Sequence, residues 1–335
     1  MEDNMQLERV SQRREVYETL HEVPEAQQEQ PERRNYIEAN TNPVSLSHLK
    51  DDCIIPTFRD IEKTISHYEF IEAMDYSVKQ FFRDEDILTP DIRVSHKING
   101  RIPQALHKKV HELEEWEKTR YYERMMFIIE IPSITANING NTLNLTVGGV
   151  RALNHESLFS KKSIEKFKVF IGFQNLVCIN LLVTTDGAML DLRVASVTDL
   201  MKNIQELFEE FSIVKQLNQM KDFSNYFLTE HQFAQVIGRS RLYQHLPAAV
   251  RKGITPLDFN DRQLNLIARD YYQDQSFCRL ENGDIDLWRL YGLFTGSNKT
   301  SYIDSFLDRS LNAYTFIQGL QHALRGDDQY HWFLS

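Results

Sequence analysis

The chain has 335 residues, a formal charge of −10 and 41% hydrophobic residues. That length can bury a full core without disulfide or metal staples, and the acidic balance excludes a uniformly basic nucleic-acid coat. With only 13 Gly and 9 Pro, collagen-like, repeat and linker-rich architectures are excluded as well.

Residues 1–45 hold ten acidic and five basic residues, a net of −5 that is half of the total charge. The run Pro24 to Pro31 is low in complexity and offers no apolar face. This segment is expected to be a disordered or loosely helical acidic tail, available as an arm for a protein partner. Residues 46–335 are expected to form one domain. Helical spacing runs through Ile61, Ile65, Tyr68, Ile71, Met74 and Val78. Pro90, Gly100 and Pro103 then mark turns. Leu106 to Met126 reads as a charged helix with Val110, Leu113 and Trp116 on one side.

A β block follows at about 125–198. Phe127 to Ile131 is a short apolar run, and Asn139-Gly140 is a hairpin signal because both residues tolerate φ > 0. Leu143, Leu145 and Val147 alternate with polar residues, as do Phe167, Val169, Ile171 and Phe173. Gly148-Gly149 predicts a bulge or a close backbone approach. Leu176 to Val183 reads as a buried strand containing Cys178, and Leu190 to Val197 as another strand. The remainder, about 199–335, is helical: a stripe from Leu200 to Val214, helices near 230–237, 261–273 and 286–294, and a last helix from Ser301 with a capping-box-like Asp304. The fold class is therefore α+β, a central and mainly antiparallel sheet with flanking helices and a helical C-terminal half.

Three cysteines, Cys53, Cys178 and Cys278, stand far apart with no CxxC pair. Neither a disulfide framework nor a zinc ribbon is expected, and a reducing, cytoplasmic setting fits. No signal segment stands at the start, and the longest apolar stretch, 176–183, is too short for a membrane span.

Motifs that carry chemistry are few. Gly292 to Thr300 resembles a phosphate loop at first sight, but two residues separate Gly296 from Lys299 and a helix precedes it, so no nucleotide cofactor is expected. Gly296 reads as a helix C-cap there. His107 and His111 are spaced i, i+4 without a third ligand, so no metal is expected. There is no G-x-S-x-G, and Cys178 in an apolar strand reads as packing. The informative charge feature is an absence: residues 231–257 contain no acid. They carry Arg239, Arg241, Tyr243, His245, Arg251 and Lys252. A second basic cluster is Lys161, Lys162, Lys166 and Lys168, opposed only by Glu165. Cations placed with aromatics hold phosphates and stack bases. The simpler reading is a basic surface neutralised by acidic elements elsewhere in the chain.

Several segments together resemble a known family. They include Ser66 to Ala73, Val94 to Lys97 with Gly100 to Pro103, Tyr121 to Phe127, Gly148 to Arg151, Phe167 to Asn180, Trp288 to Lys299, and Tyr302 to Ala313. The resemblance is to a domain-of-unknown-function family found on conjugative and mobilisable elements of Bacteroides-type bacteria, over about 60–335. The Cys178-x-Asn180 segment and the Trp288-to-Arg309 helix pair also resemble a phage and plasmid family of uncharacterised proteins. There a Tyr-Asn often stands where this chain has Tyr291-Gly292. The resemblance implies a mobile element and its DNA transactions, and it marks a polar cluster: Asn180, Asn298, Lys299, Tyr302, Asp304, Arg309 and Asn312. The leading expectation is a non-enzymatic accessory protein that contacts DNA, single-stranded rather than double-stranded. The alternatives are a protein-interaction or host-modulating factor, and an enzyme with a distributed site around Lys299, Asp304 and Arg309.

Overall fold

The computed structural model describes residues 35–56, 64–156, 164–252 and 254–335. Its sheet grows from one hairpin. β5 (Arg124–Ile138) and β6 (Asn141–Ala152) are joined by Asn139 and Gly140, at φ 50° and 81°. This is the left-handed turn that matches strand twist. Pairs such as Ile129↔Val147 and Ile131↔Leu145 set the register, which shifts between Ile131 and Thr135. Pro132 lies in that interval and has no N–H for the ladder. β7 (Glu165–Asn175) pairs with β6, and β8 (Leu181–Leu182) and β9 (Ala188–Val194) both pair with β7. On the other side β2 (Asp91–Val94) pairs with β5, and β1 (Asn42–Pro43) with β2; every pairing is antiparallel. The sheet curls into a half-barrel with flanking helices, an α+β fold.

Both faces of the sheet are covered, which explains why Phe127-Ile128-Ile129 is continuously apolar. Phe127, Ile129 and Val147 join the larger core, while Met126, Ile128 and Val150 join a second one. α1 (Leu46–Asp51) precedes α2 (His67–Phe81), which starts at a capping box between Ser66 and Glu69. Phe70 of α2 meets Phe127 and Phe167 with ring centroids 5.2 and 4.7 Å away. Gly149 permits this packing: a Cβ there would lie 2.3 Å from the Phe70 ring. The expected close approach at Gly148-Gly149 is thus present. α3 (Val197–Glu210) packs beside α2. The second core lies under Ile303, Phe306 and Leu307 of α9 (Ile303–Leu324).

That second core also takes in Tyr36 and Ile37, both buried. The Tyr36 hydroxyl donates to the Asp91 and Met126 carbonyls at 3.3 Å each. Residues 35–45 are therefore packed against the sheet, where the sequence suggested an acidic tail up to 45. Residues 1–34, and Ile61 of the expected first helix, lie outside the described residues.

The expected helix over 106–126 is absent. β3 (Lys97–Arg101) and β4 (Lys118–Tyr122) form a two-stranded ribbon, and the chain between them makes short 3₁₀ turns. Thr119 is buried between exposed Lys118 and Arg120, a strand period that the spacing of Val110, Leu113 and Trp116 masked. The strand expected over 176–183 shrinks to β8. Asn175 turns the chain by accepting from the Val177 and Cys178 N–H groups, and Ile179 sits at φ 58°. Cys178 is therefore in a turn.

The stripe from 200 to 214 breaks at Ser212, the N-cap of α4 (Ile213–Asp222). β10 (Phe227–Leu228) pairs with β11 (Ile285–Asp286). Between them lie α5 (Glu230–Tyr243), α6 (Ala248–Arg251) and α7 (Asp261–Gln273). α8 (Leu287–Asn298) runs straight through Gly296, so that glycine is no C-cap. Tyr302 is the residue that precedes α9, and it makes no side-chain cap. Ser301 instead donates its hydroxyl to Asn298 Oδ1 at 2.7 Å. No helix among the described residues is long and apolar enough to cross a membrane.

Candidate nucleic-acid interface

The acid-free segment 231–257 folds into α5, α6 and the loops around them, and its cations are not equivalent. The Arg239 guanidinium lies 5.0 Å from the Trp332 ring centroid and donates through Nε to the Ser335 main-chain oxygen at 3.0 Å. Arg241 faces α7, donating to Asn265 at 2.9 Å with Asp261 at 3.4 Å. Tyr243 is buried against Trp332 and Phe333, so it offers no face for stacking a base. His245, Arg251 and Lys252 are exposed, and none makes a side-chain hydrogen bond or ion pair among the described residues.

In the second basic cluster both described lysines have acidic partners. Lys161 and Lys162 lie outside the described residues. Lys166 on β7 is 3.9 Å from Asp191 of β9. Lys168 donates to the Asp304 carbonyl at 2.8 Å and to the Asp308 carboxylate, which ties β7 to α9.

In the polar cluster marked by the resemblance Asn180, Asn298 and Lys299 are buried, Asp304, Arg309 and Asn312 are half-buried, and all six are held by hydrogen bonds or ion pairs. Asn180 donates to the Gly292 carbonyl at 3.0 Å and to Thr295 at 3.2 Å. Asn298 donates to the Phe306 carbonyl at 3.0 Å and to Ser310 at 2.9 Å. The Lys299 ammonium donates to the Cys178 carbonyl, and the Lys299 carbonyl accepts from the Glu38 N–H at 2.7 Å. Arg309 donates to the Asp258 carbonyl at 2.7 Å, and Asn312 donates to the Pro256 carbonyl at 2.8 Å. Asp304 faces the other way, 3.0 Å from Arg124. Tyr302 is exposed. Lys299, Asp304 and Arg309 are each committed to a different partner and do not converge on one reacting centre. Burial pushes the Cys178 thiol up, against the opposing pull of the Asn180 backbone and the Lys299 charge, so it is not an activated thiolate. His107 and His111 share no helix face, and no group of three metal-ligating side chains occurs among the described residues.

A family model described as "Domain of unknown function, B. Theta Gene description (DUF3871)" matches residues 18–334. The chain belongs to that family. No curated protein and no solved structure matches it. In this DUF3871 chain the family match takes in residues 35–45, whose packing against the sheet gives that reach a structural basis.

A further cationic surface lies on the β3–β4 ribbon, outside the two basic clusters of the sequence. Antiparallel pairing places Lys97 beside Tyr122, Asn99 beside Arg120 and Arg101 beside Lys118, so four cations share one face of the β3–β4 ribbon. The signal was available as Lys118-x-Arg120-x-Tyr122, a period-two pattern.

Proposed function

We propose that the protein is a non-enzymatic accessory factor of a mobile genetic element that contacts DNA, single-stranded in preference to duplex. The observation that carries this reading is the exposed trio His245, Arg251 and Lys252 in a stretch without any acid. Phosphates are drawn to unneutralised cations and gain little from ones that already have a carboxylate. The resemblance to families of conjugative elements, phages and plasmids supports the DNA context. The dispersal of Lys299, Asp304 and Arg309 into separate contacts weighs against an enzyme centred on them.

The test is a titration of labelled single- and double-stranded oligonucleotides at two salt concentrations. The expected result is tighter binding of the single strand, weakening as salt rises. Arg251→Ala with Lys252→Ala should lower affinity and reduce the salt slope by about 1–2. Binding that ignores salt, or its absence, overturns the reading.

A further inference from the structure

We propose that the open edge of the β3–β4 ribbon is a docking site for an extended acidic segment of a partner protein, added as a further strand. This surface is separate from residues 245–252 and does not rest on their binding DNA.

The Ile54 N–H donates to the Arg120 carbonyl at 2.7 Å, and the Arg120 N–H donates to the Ile54 carbonyl at 3.2 Å. Arg120 therefore turns its main-chain groups away from β3. Asn99, directly opposite, forms the non-hydrogen-bonded pair and turns its own N–H and C=O outward. Arg101, two residues on, repeats that orientation. Neither residue's main-chain groups have a hydrogen-bond partner among the described residues. Ile54, β4 and β3 thus form a small sheet that stops at a strand with unused donors and acceptors, the geometry used in strand addition.

The side chains choose the occupant. Lys97, Arg101, Lys118 and Arg120 share one face. Arg120 and Lys97 are exposed and make no ion pair among the described residues; Lys118 meets only Glu115, itself 89% exposed. Beside the ribbon lies a groove of about 720 Å³ whose lining includes Arg101, Lys118 and Arg120 together with Leu106 and Val110. Asp51, Asp52 and Glu115 also line it and would repel carboxylates on that side. Val110, in the lining of this groove, is 73% exposed, and Trp116, six residues on, is 70% exposed; exposed apolar side chains of this kind are ones that partners cover. A second copy of this chain is the wrong occupant, because β3 against β3 sets Lys97 and Arg101 of one copy against those of the other, and like charges on neighbouring strands repel. A strand with carboxylates on alternate positions sets them all on the cationic face, and apolar residues between them leave its other face uncharged.

The probe is a labelled eight-residue peptide of alternating Glu and Val, followed by fluorescence anisotropy with the full chain. Saturable binding is expected, with at least tenfold loss when alternate peptide nitrogens are methylated and no binding of the Lys-Val counterpart. Asn99→Pro removes an outward N–H but no β3–β4 ladder bond, and it should weaken binding about tenfold with an unchanged circular dichroism spectrum. Arg120→Glu, on the surface, should abolish binding and gives the answer if Asn99→Pro does not fold. The proposal is overturned if the Glu-Val peptide does not bind, or binds equally well when N-methylated. It is also overturned if an oligonucleotide, and not the peptide, binds in a manner lost with Arg120→Glu, which would make the ribbon a nucleic-acid face.

Discussion

Arg239 lies over Trp332, its guanidinium 5.0 Å from the ring centroid, and reaches on to the Ser335 main-chain oxygen. A cation that looks available to phosphate in the sequence is thereby turned into a clamp between α5 and the last residues. Lys168 is used in the same way, holding α9 against β7 through Asp308. Both contacts join segments far apart in the chain, and both reduce the charge left for a ligand.

The clamp predicts a separation of effects. Arg239→Ala should lower stability by about 1 kcal/mol, the usual worth of a partly exposed cation–π contact. It should leave oligonucleotide affinity and its salt slope unchanged, while the Arg251 and Lys252 substitutions do the reverse. Urea unfolding and anisotropy on the same preparations measure the two quantities. Loss of DNA affinity without loss of stability in Arg239→Ala would show that the clamp opens for a ligand.

A second prediction concerns a buried charge. Arg151 is fully buried, 3.2 Å from Glu156 and 3.4 Å from Glu165, and its guanidinium also donates to the Ile65 carbonyl. Glu165 is itself buried and accepts from the Ile65 N–H at 3.1 Å. Glu165→Gln keeps the shape but removes one of two counter-charges. Breaking a buried pair from one side costs roughly 3–5 kcal/mol; the remaining Glu156 should hold the loss to about 3. Lys166→Ala, next in sequence and half-exposed, should change stability by less than about 0.5 kcal/mol. Equal midpoints for the two variants in chemical denaturation would refute this account of the cluster.

The third prediction tests packing at the sheet. Gly149→Ala places a methyl 2.3 Å from the Phe70 ring and 3.1 Å from the Lys168 carbonyl. One neighbour is a ring locked between Phe127 and Phe167 and the other is backbone, so neither yields easily. A loss of about 1–3 kcal/mol is expected from overpacking. Pairing it with Phe70→Leu should recover part of that loss, and a double-mutant cycle measures how much. Additive effects would mean that Phe70 is not the obstacle.

What the sequence revealed follows the range of each signal. The Asn139-Gly140 turn and the strand through Leu143, Leu145 and Val147 are local and present as expected, but the alternation with Asn144 and Thr146 implied a half-buried strand, and both polar residues are buried because the sheet is covered on both faces. The capping boxes of Ser66 with Glu69 and Asn260 with Gln263 are equally local signals, but helical spacing, not these caps, indicated the two helices. By contrast, Val110, Leu113 and Trp116 imitate a helix stripe, yet Val110 and Trp116 face solvent while the neighbouring strand pairs with Lys97–Arg101. Tyr36 and Ile37 are two apolar residues among polar and acidic ones, and nothing nearby says that α9 and the sheet will close over them. The candidate site suffered most. Whether Lys168 is free depends on Asp308, 140 residues away, and no linear pattern of charge contains that pairing.

The last prediction is a pH dependence. His67 is fully buried at the start of α2, where its Nε2 meets the Tyr122 carbonyl at 2.8 Å. Burial lowers its pKa to about 3; the nearby Arg151 charge acts in the same direction, and the Tyr122 carbonyl opposes both. The folded protein thus binds a proton there only near pH 3, whereas the unfolded chain binds one near pH 6.5. Unfolding takes up a proton across this window. The stability contributed by neutral His67 is full above about pH 6.5, declines as the pH falls, and is gone at about pH 3, a change on the order of a few kcal/mol. Carboxylates titrate in the lower part of the window, so the informative interval is pH 6.5 to 5. Urea midpoints there should fall for the native sequence and stay nearly level for His67→Gln, which can keep a donor for the Tyr122 carbonyl without titrating. Parallel slopes for the two proteins would place the titration elsewhere.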